Sequence, residues 1–298
     1  MRSPWPHRLA LLTAGATFLL ILVGGIVTNT ESGLAVPDWP TTFGYNMFLY
    51  PLSKMVGGVV YEHSHRLIGS LVGVFVLALA GMLWAKDERP GVRWLGVLAA
   101  VAVILQGVLG GLRVVLVAES LAIVHGAFAQ AFFALLVCLA VVTSPQWQAP
   151  IRTDGGELLL GVRRVALFLV LALYGQVILG TLVTHLHARV DAHVTGAIIV
   201  SAAVVVLRAR VRRGAAAWPE LLRPAGVVFA VWVAQLALGV GAYLAEFHPA
   251  LGFPELTFAL VHRMTGALLL ATSLVLTLRT YRRSGWTEGR LSAGEVPA

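Results

Sequence analysis

Eight stretches of predominantly apolar residues, at about 9–28, 66–85, 93–112, 121–143, 163–184, 190–207, 224–245 and 258–279, run the length of this 298-residue chain. Each comes close to the roughly 20 residues a helix needs to cross a bilayer. Eight such segments predict an all-α integral membrane protein with eight transmembrane helices. Composition agrees: 58% of residues are hydrophobic and 12% charged, with a mean hydropathy of +0.84, where a soluble domain carries about 25% charged residues. The sixth segment is the shortest. Its uninterrupted part, Val194 to Leu207, must be completed by residues around His193 or by local thinning of the bilayer.

Charge orients the chain. With eight spans, both termini and the loops leading from even to odd spans share one face, and that face holds 17 of the 22 basic residues. Lys54, Arg66, Arg113, Arg189 and Arg263 remain at or near the other. The excess of Lys and Arg marks the cytoplasmic side, so a multi-pass protein of the cell membrane with both termini cytoplasmic is expected. The net charge of +8 then reflects topology and calls for no nucleic acid. The first apolar segment is longer than the core of a signal peptide and has no clean small-x-small cleavage pattern, so it reads as a retained helix. The single cysteine, Cys138, excludes an intramolecular disulfide and reads as a packing residue.

A phrase recurs near the outer ends of the odd spans: Gln106 to Gly110 in the third, Gln176 to Gly180 in the fifth and Gln235 to Gly239 in the seventh, with only Gly24-Gly25 in the first. Each even span opens with a histidine: His65, His125, His193 and His262. A helix pair repeated four times makes two pseudo-symmetric four-helix bundles. The expected division is 1–147 for an N-terminal bundle, 148–161 for a cytoplasmic linker, 162–284 for a C-terminal bundle and 285–298 for a flexible tail. The glycines read as close helix contacts, and the glutamines as either interhelical hydrogen bonds or ligand contacts. The long outer connection from Asn29 to Val60, with two prolines around Asp38-Trp39, predicts a structured, turn-rich lid rather than a strand.

Four histidines at equivalent positions on four spans that all begin at the outer face must lie at one depth. Neutral imidazole is the usual axial ligand of haem iron, and facing helices of a bundle are a common place to hold it. His65 with His125, and His193 with His262, therefore predict two haem sites. Zinc fits less well, because a structural site wants four converging ligands and a catalytic one three with an open position. Arg66 and Arg263 follow ligand candidates directly and suit haem propionates; for Arg113 and Arg189, snorkelling to the interface is an equal reading. Glu62 lies three residues before His65, on the same helix face. It reads as an unpaired carboxylate that either serves an oxidation, as a base or as a stabiliser of positive charge, or orients a ligand or caps the helix. His63 reads as an interfacial bystander, and His185, His187 and His248 as solvated residues or weak candidates for access.

Glu62-x-x-His65-Arg66, His125, His193 and His262 on successive even spans, with Gly33-Leu34 and Pro37-Asp38-Trp39-Pro40 in the first outer loop, resemble the haem A synthases of the CtaA/COX15 family over nearly the whole chain. The resemblance implies an oxidoreductase that converts the C8 methyl of haem O to the formyl group of haem A for cytochrome oxidase, by successive hydroxylations with oxygen from water. It implies His65 and His125 as ligands of the substrate haem, Glu62 as the catalytic carboxylate, His193 and His262 as ligands of a haem b cofactor, and haem O, a haem O synthase and an electron acceptor as partners alongside membrane lipid. The runner-up is a non-enzymatic di-haem electron carrier of cytochrome b type. One departure stands out: many members of the family carry two cysteines around the Pro-Asp-Trp-Pro turn, where this chain has Val36 and Thr42.

Overall fold

The computed structural model describes residues 4–149 and 156–283. Eight helices long and apolar enough to span a membrane are found among them: α1 (Trp5–Asn29), α2 (Gly58–Lys86), α3 (Pro90–Leu116), α4 (Glu119–Val142), α6 (Glu157–Leu186), α7 (Val190–Arg213), α8 (Pro219–Phe247) and α9 (Glu255–Arg283). A four-residue helix, α5 (Pro145–Gln148), follows α4. The chain is thus a multi-pass, all-helical membrane protein. The helices outrun the apolar windows because the backbone ladder continues into the headgroup layer, where side chains need not be apolar. α2 shows this best: it begins eight residues before the apolar window, so Glu62, His63, His65 and Arg66 stand on its first turns rather than in a loop.

Packing follows the repeat in the sequence. α1, α2, α3 and α4 form a ring in which each helix packs on the next and α4 closes on α1; α6, α7, α8 and α9 repeat that order. α4 and α1 also pack on α9, and α4 on α6, which joins the two rings. The first ring is filled by Leu79, Leu83, Leu136 and Leu139, the second by Leu159, Leu169, Leu207 and Leu276. Ala267 and Ala271, one turn apart on α9, are buried within the core of the first ring, because small side chains let helix backbones approach. Buried hydroxyls satisfy themselves locally, as Thr13 and Thr17 do on the carbonyls four residues back. Cys138 packs partly buried against the first core, as expected. The linker residues 150–155 and the tail 284–298 lie outside the described residues.

The connection between α1 and α2 is the structured loop that its prolines predict. Three short 3₁₀ turns, Ser32–Leu34, Met47–Leu49 and Leu52–Lys54, are separated by an isolated bridge between Thr42 and Tyr45. Asp38 organises its tip, accepting from the Thr41 hydroxyl at 2.5 Å and from the N–H groups of Phe43 and Gly44 at 2.7 and 2.8 Å. Burial opposes ionisation of Asp38, but the hydrogen bonds from Gly44, Thr41 and Phe43 together outweigh it and hold the carboxyl below its usual range. The loop ends at Gly57, whose φ of 58° favours a residue without a Cβ.

Candidate haem sites and the loop that covers one of them

The four histidines occupy four copies of one environment. Each stands one to two turns inside its helix and turns its ring onto a glycine of the preceding one. A Cβ on Gly24 would lie 3.0 Å from Cε1 of His65, one on Gly110 3.0 Å from that of His125, one on Gly180 3.5 Å from that of His193, and one on Gly239 3.0 Å from that of His262. These glycines, read from sequence as simple helix contacts, are seats for imidazole rings. The glycine that closes the Gln-x-x-x-Gly phrase is therefore a sequence signal for the ring seat.

The glutamine of the phrase, one turn from the glycine on the same face, takes the other edge of the ring. Gln106 Nε2 lies 3.3 Å from His125 Nε2 and donates to the His125 carbonyl at 3.0 Å; Gln235 Nε2 lies 3.2 Å from His262 Nε2. The Gln106 and Gln235 amides thus lie against Nε2 of these two rings and fix their orientation, with donor and acceptor set by the ring tautomer. Nδ1 of all four histidines is buried and has no hydrogen-bond partner. The main chains of Gln106, Gln176 and Gln235 interact with the rings of His125, His193 and His262 respectively. His65 is the exception, since α1 has Leu20 where the other helices have glutamine.

This arrangement fits haem. A metal ligand needs a neutral imidazole with one lone pair free and the other nitrogen turned to the protein. The His193 and His262 ring centroids are 6.3 Å apart with planes at 74°, close enough that both rings could reach one metal ion at bonds of about 2 Å each. His65 and His125 lie within electrostatic reach of one another. Among the described residues no cluster of three or more His, Cys, Asp or Glu gathers as zinc would require.

Glu62 and Arg66 are corrected by the structure. Glu62 is buried but not unpaired: its Oε1 accepts from Arg66 Nη2 at 2.7 Å, and its Oε2 from the N–H of Val36 at 2.8 Å. Arg66 is also not left for a propionate. Nη1 donates to the carbonyls of Asp38 and Thr41 at 2.7 and 3.1 Å, and Nη2 to that of Val36 at 3.0 Å besides Glu62. A planar fork one turn from a carboxylate can reach three loop carbonyls at once, and sequence spacing alone cannot reveal that the loop returns there. His63 is likewise no bystander. It is 1% exposed, its Nδ1 is bonded to the Thr42 hydroxyl at 3.1 Å, and its ring packs 5.1 Å from that of Tyr50.

Val36 and Thr42, the positions without cysteine, are both fully buried and both tied to α2, one through Glu62 and the other through His63. Trp39 lies over Gly111 of α3, where a Cβ would stand 2.2 Å from its ring. The loop is thereby fastened to the helices that carry His65 and to the helix before His125. Arg263 lies against Gly25 of α1. The remaining candidates separate: His187 contacts Glu246 at 3.3 Å at the surface, His248 packs beside Tyr243, Arg189 reaches the exposed Asp191 at 3.7 Å, and His185 is half-buried.

Comparison with known proteins points the same way. The model of the COX15-CtaA family, described as cytochrome oxidase assembly proteins, matches residues 7–193. The chain is similar to the Heme A synthase of Shouchella clausii, 34% identical over 152 residues covering 48% of this chain and 49% of that one. It is also similar to that of Bacillus pumilus, 32% identical over 141 residues covering 45% and 44%, and to that of Lysinibacillus sphaericus, 36% identical over 106 residues covering 35% and 33%. The chain thus spans about half or less of the length of these curated relatives. The family match ends at His193, so the placing of His262 rests on the internal repeat, where Gln235 and Gly239 hold it as Gln106 and Gly110 hold His125.

Proposed function

The chain belongs to the COX15-CtaA family of cytochrome oxidase assembly proteins, and from that premise we propose that it is a haem A synthase, oxidising the C8 methyl of haem O to a formyl group. In balance, the methyl group and one net water together release four electrons and four protons, two of the protons from the methyl and two from the water, and the water oxygen stays on the carbon. His65 and His125 hold the substrate haem, and His193 and His262 hold a haem b, which supplies a one-electron acceptor on the path to an external oxidant. The observation that carries the reading is the fourfold histidine-on-glycine environment, combined with a buried carboxylate beside only one of the four histidines.

In this reading the chain's own residues do four things. The glycine seats of all four rings, and the glutamines beside His125 and His262, hold the imidazoles in fixed orientations. Glu62, aimed by the Val36 N–H, accepts a proton at a carboxylate oxygen or stabilises positive charge growing on the reacting edge. Arg66 sets that carboxylate against the loop, coupling loop closure to its position. The loop, with Trp39 over Gly111, keeps bulk water from the first site while Leu20 leaves His65 without the glutamine contact that His125 and His262 have. The haem-bearing bundles correspond to 1–147 and 162–284, in the cell membrane with both termini cytoplasmic, supported by the face that gathers the basic residues. A haem O synthase is the natural supplier of the substrate.

The test is co-expression with a source of haem O, followed by chromatography of the extracted haems. Haem A is expected; its absence from a folded, haem-loaded preparation overturns the proposal. Glu62→Ala should abolish or stall the conversion while leaving the haem b spectrum in place.

A further inference from the structure

Two guanidiniums near the histidines have no anion to hold. Arg113 on α3 lies against the main chain of Gly33 in the loop, where a Cβ would stand 2.4 Å from Nη2 and 2.7 Å from Nη1. Arg263 on α9 lies against Gly25 of α1, where a Cβ would stand 3.0 Å from Nη1. Both side chains are partly buried, and among the described residues neither has a hydrogen-bond or ion-pair partner. His185, near the C-terminal end of α6, lies within electrostatic reach of both arginines. The two arginines come from α3 and α9 and both stand by the outer end of α1, one at Gly33 just past it and one at Gly25 about a turn inside it.

The acids nearby do not neutralise them. Glu62 is within electrostatic reach of Arg113 but is bonded to Arg66 and Val36, and Glu119, which His185 senses, is exposed at the start of α4. Arginine keeps its proton in proteins, so placing two partly buried guanidiniums without a counter-charge is costly. Snorkelling would send each stem outward along lipid; instead one guanidinium is seated on the loop and the other between α9 and α1. The cations also flank both histidine pairs, Arg113 sensing His65 and His125, and Arg263 sensing His262.

We infer that Arg113 and Arg263 form a built anion site at the outer end of α1, which takes the carboxylates of the tetrapyrroles bound on either side, while Arg66 serves the loop. The identity of those carboxylates rests on the haem reading; the existence of the site does not. Guanidinium–carboxylate pairs of this kind are charge-assisted and directional.

The experiment titrates the purified protein, in nonionic detergent without phospholipid, with iron-free protoporphyrin IX and with its dimethyl ester, following porphyrin fluorescence. Iron-free porphyrin removes axial ligation, and the ester removes the carboxylates. Wild type should bind the free acid at least about tenfold more tightly than the ester. Arg113→Gln with Arg263→Gln should bring that ratio close to one, Arg113→Lys should keep part of it, and Arg189→Gln, at the exposed outer surface, should keep all of it. A wild-type ratio near one, which needs no variant, overturns the site, as does an unchanged ratio in the double variant. A parallel titration with haem separates the two readings. An arginine-dependent acid preference without a bis-histidine spectrum would remove the haem reading and keep the anion site; a bis-histidine spectrum with equal acid and ester affinities would do the reverse.

Discussion

Gly24 and His65 meet backbone to ring: a Cβ on the glycine would stand 3.0 Å from Cε1 of the imidazole. The same holds for Gly110 with His125 and Gly239 with His262, while Gly180 leaves 3.5 Å to His193, an ordinary contact. Alanine at 24, 110 or 239 should therefore tilt its ring, with an overpacking cost of about 1–3 kcal/mol and reduced haem occupancy of that site. Gly180→Ala should be nearly silent. Haem stoichiometry and the low-spin absorption spectrum of each purified variant check the contrast, and four equal effects would show that the seats do not set ligation.

Loop and helix share a buried ion pair in Arg66 and Glu62, whose side chains are 9% and 5% exposed. Removing one partner of such a pair strands the other and costs about 3–5 kcal/mol. Arg66→Ala also releases three loop carbonyls, so the loss should be local as well as global. Limited proteolysis should cut between residues 36 and 45 in the variant and not in wild type. Arg66→Lys should fail to rescue, because an ammonium cannot present the fork that serves four acceptors. Protection equal to wild type in both variants would rule out Arg66 as the fastening.

How far the sequence could be read follows from these residues. Helix number and type were legible because eight apolar windows admit one solution in a bilayer. The histidines were legible because the repeat puts them at one depth. What escaped was contact across the fold. Gln106 and Gly110 flank one ring because four residues make a turn, yet only the neighbouring helix shows which ring. In sequence Arg66 reads as a propionate contact and His63 as a bystander because their partners, Val36, Asp38, Thr41 and Thr42, lie 21 to 30 residues away in a loop whose path no periodicity predicts.

Thr42 and His63 fasten the loop at a position where the resemblance led one to expect cysteine. Thr42→Val keeps the shape and removes the hydroxyl, leaving a buried ring nitrogen without its partner at a cost of about 1–3 kcal/mol. The thermal midpoint should fall accordingly while the haem spectrum of the second bundle is kept. Thr42→Ser, which restores the hydroxyl, should recover most of the loss, and a valine variant as stable as wild type would mean that packing alone holds the loop.

Asp38 makes the loop tip sensitive to acid. Its carboxyl is held below the usual carboxylate range by the hydrogen bonds from Gly44, Thr41 and Phe43, which favour the charged form. A group depressed on folding contributes stability that is fully present above its unfolded value, near about 3.9, and is lost as pH falls through the lower folded value. The loop should therefore keep its order at neutral pH and loosen only below about pH 4. Hydrogen exchange at the Phe43 and Gly44 amides reads this directly, after correction for the intrinsic dependence of exchange on acid. Protection there should drop in acid in wild type, while Asp38→Asn, with no charge and one oxygen for three donors, should be weakly protected at every pH. Amides of the same variant in the helix cores around Leu79 and Leu136 should be unaffected, since those side chains lie in the first ring's interior, and a uniform loss across loop and core would assign the acid response to global unfolding instead of Asp38.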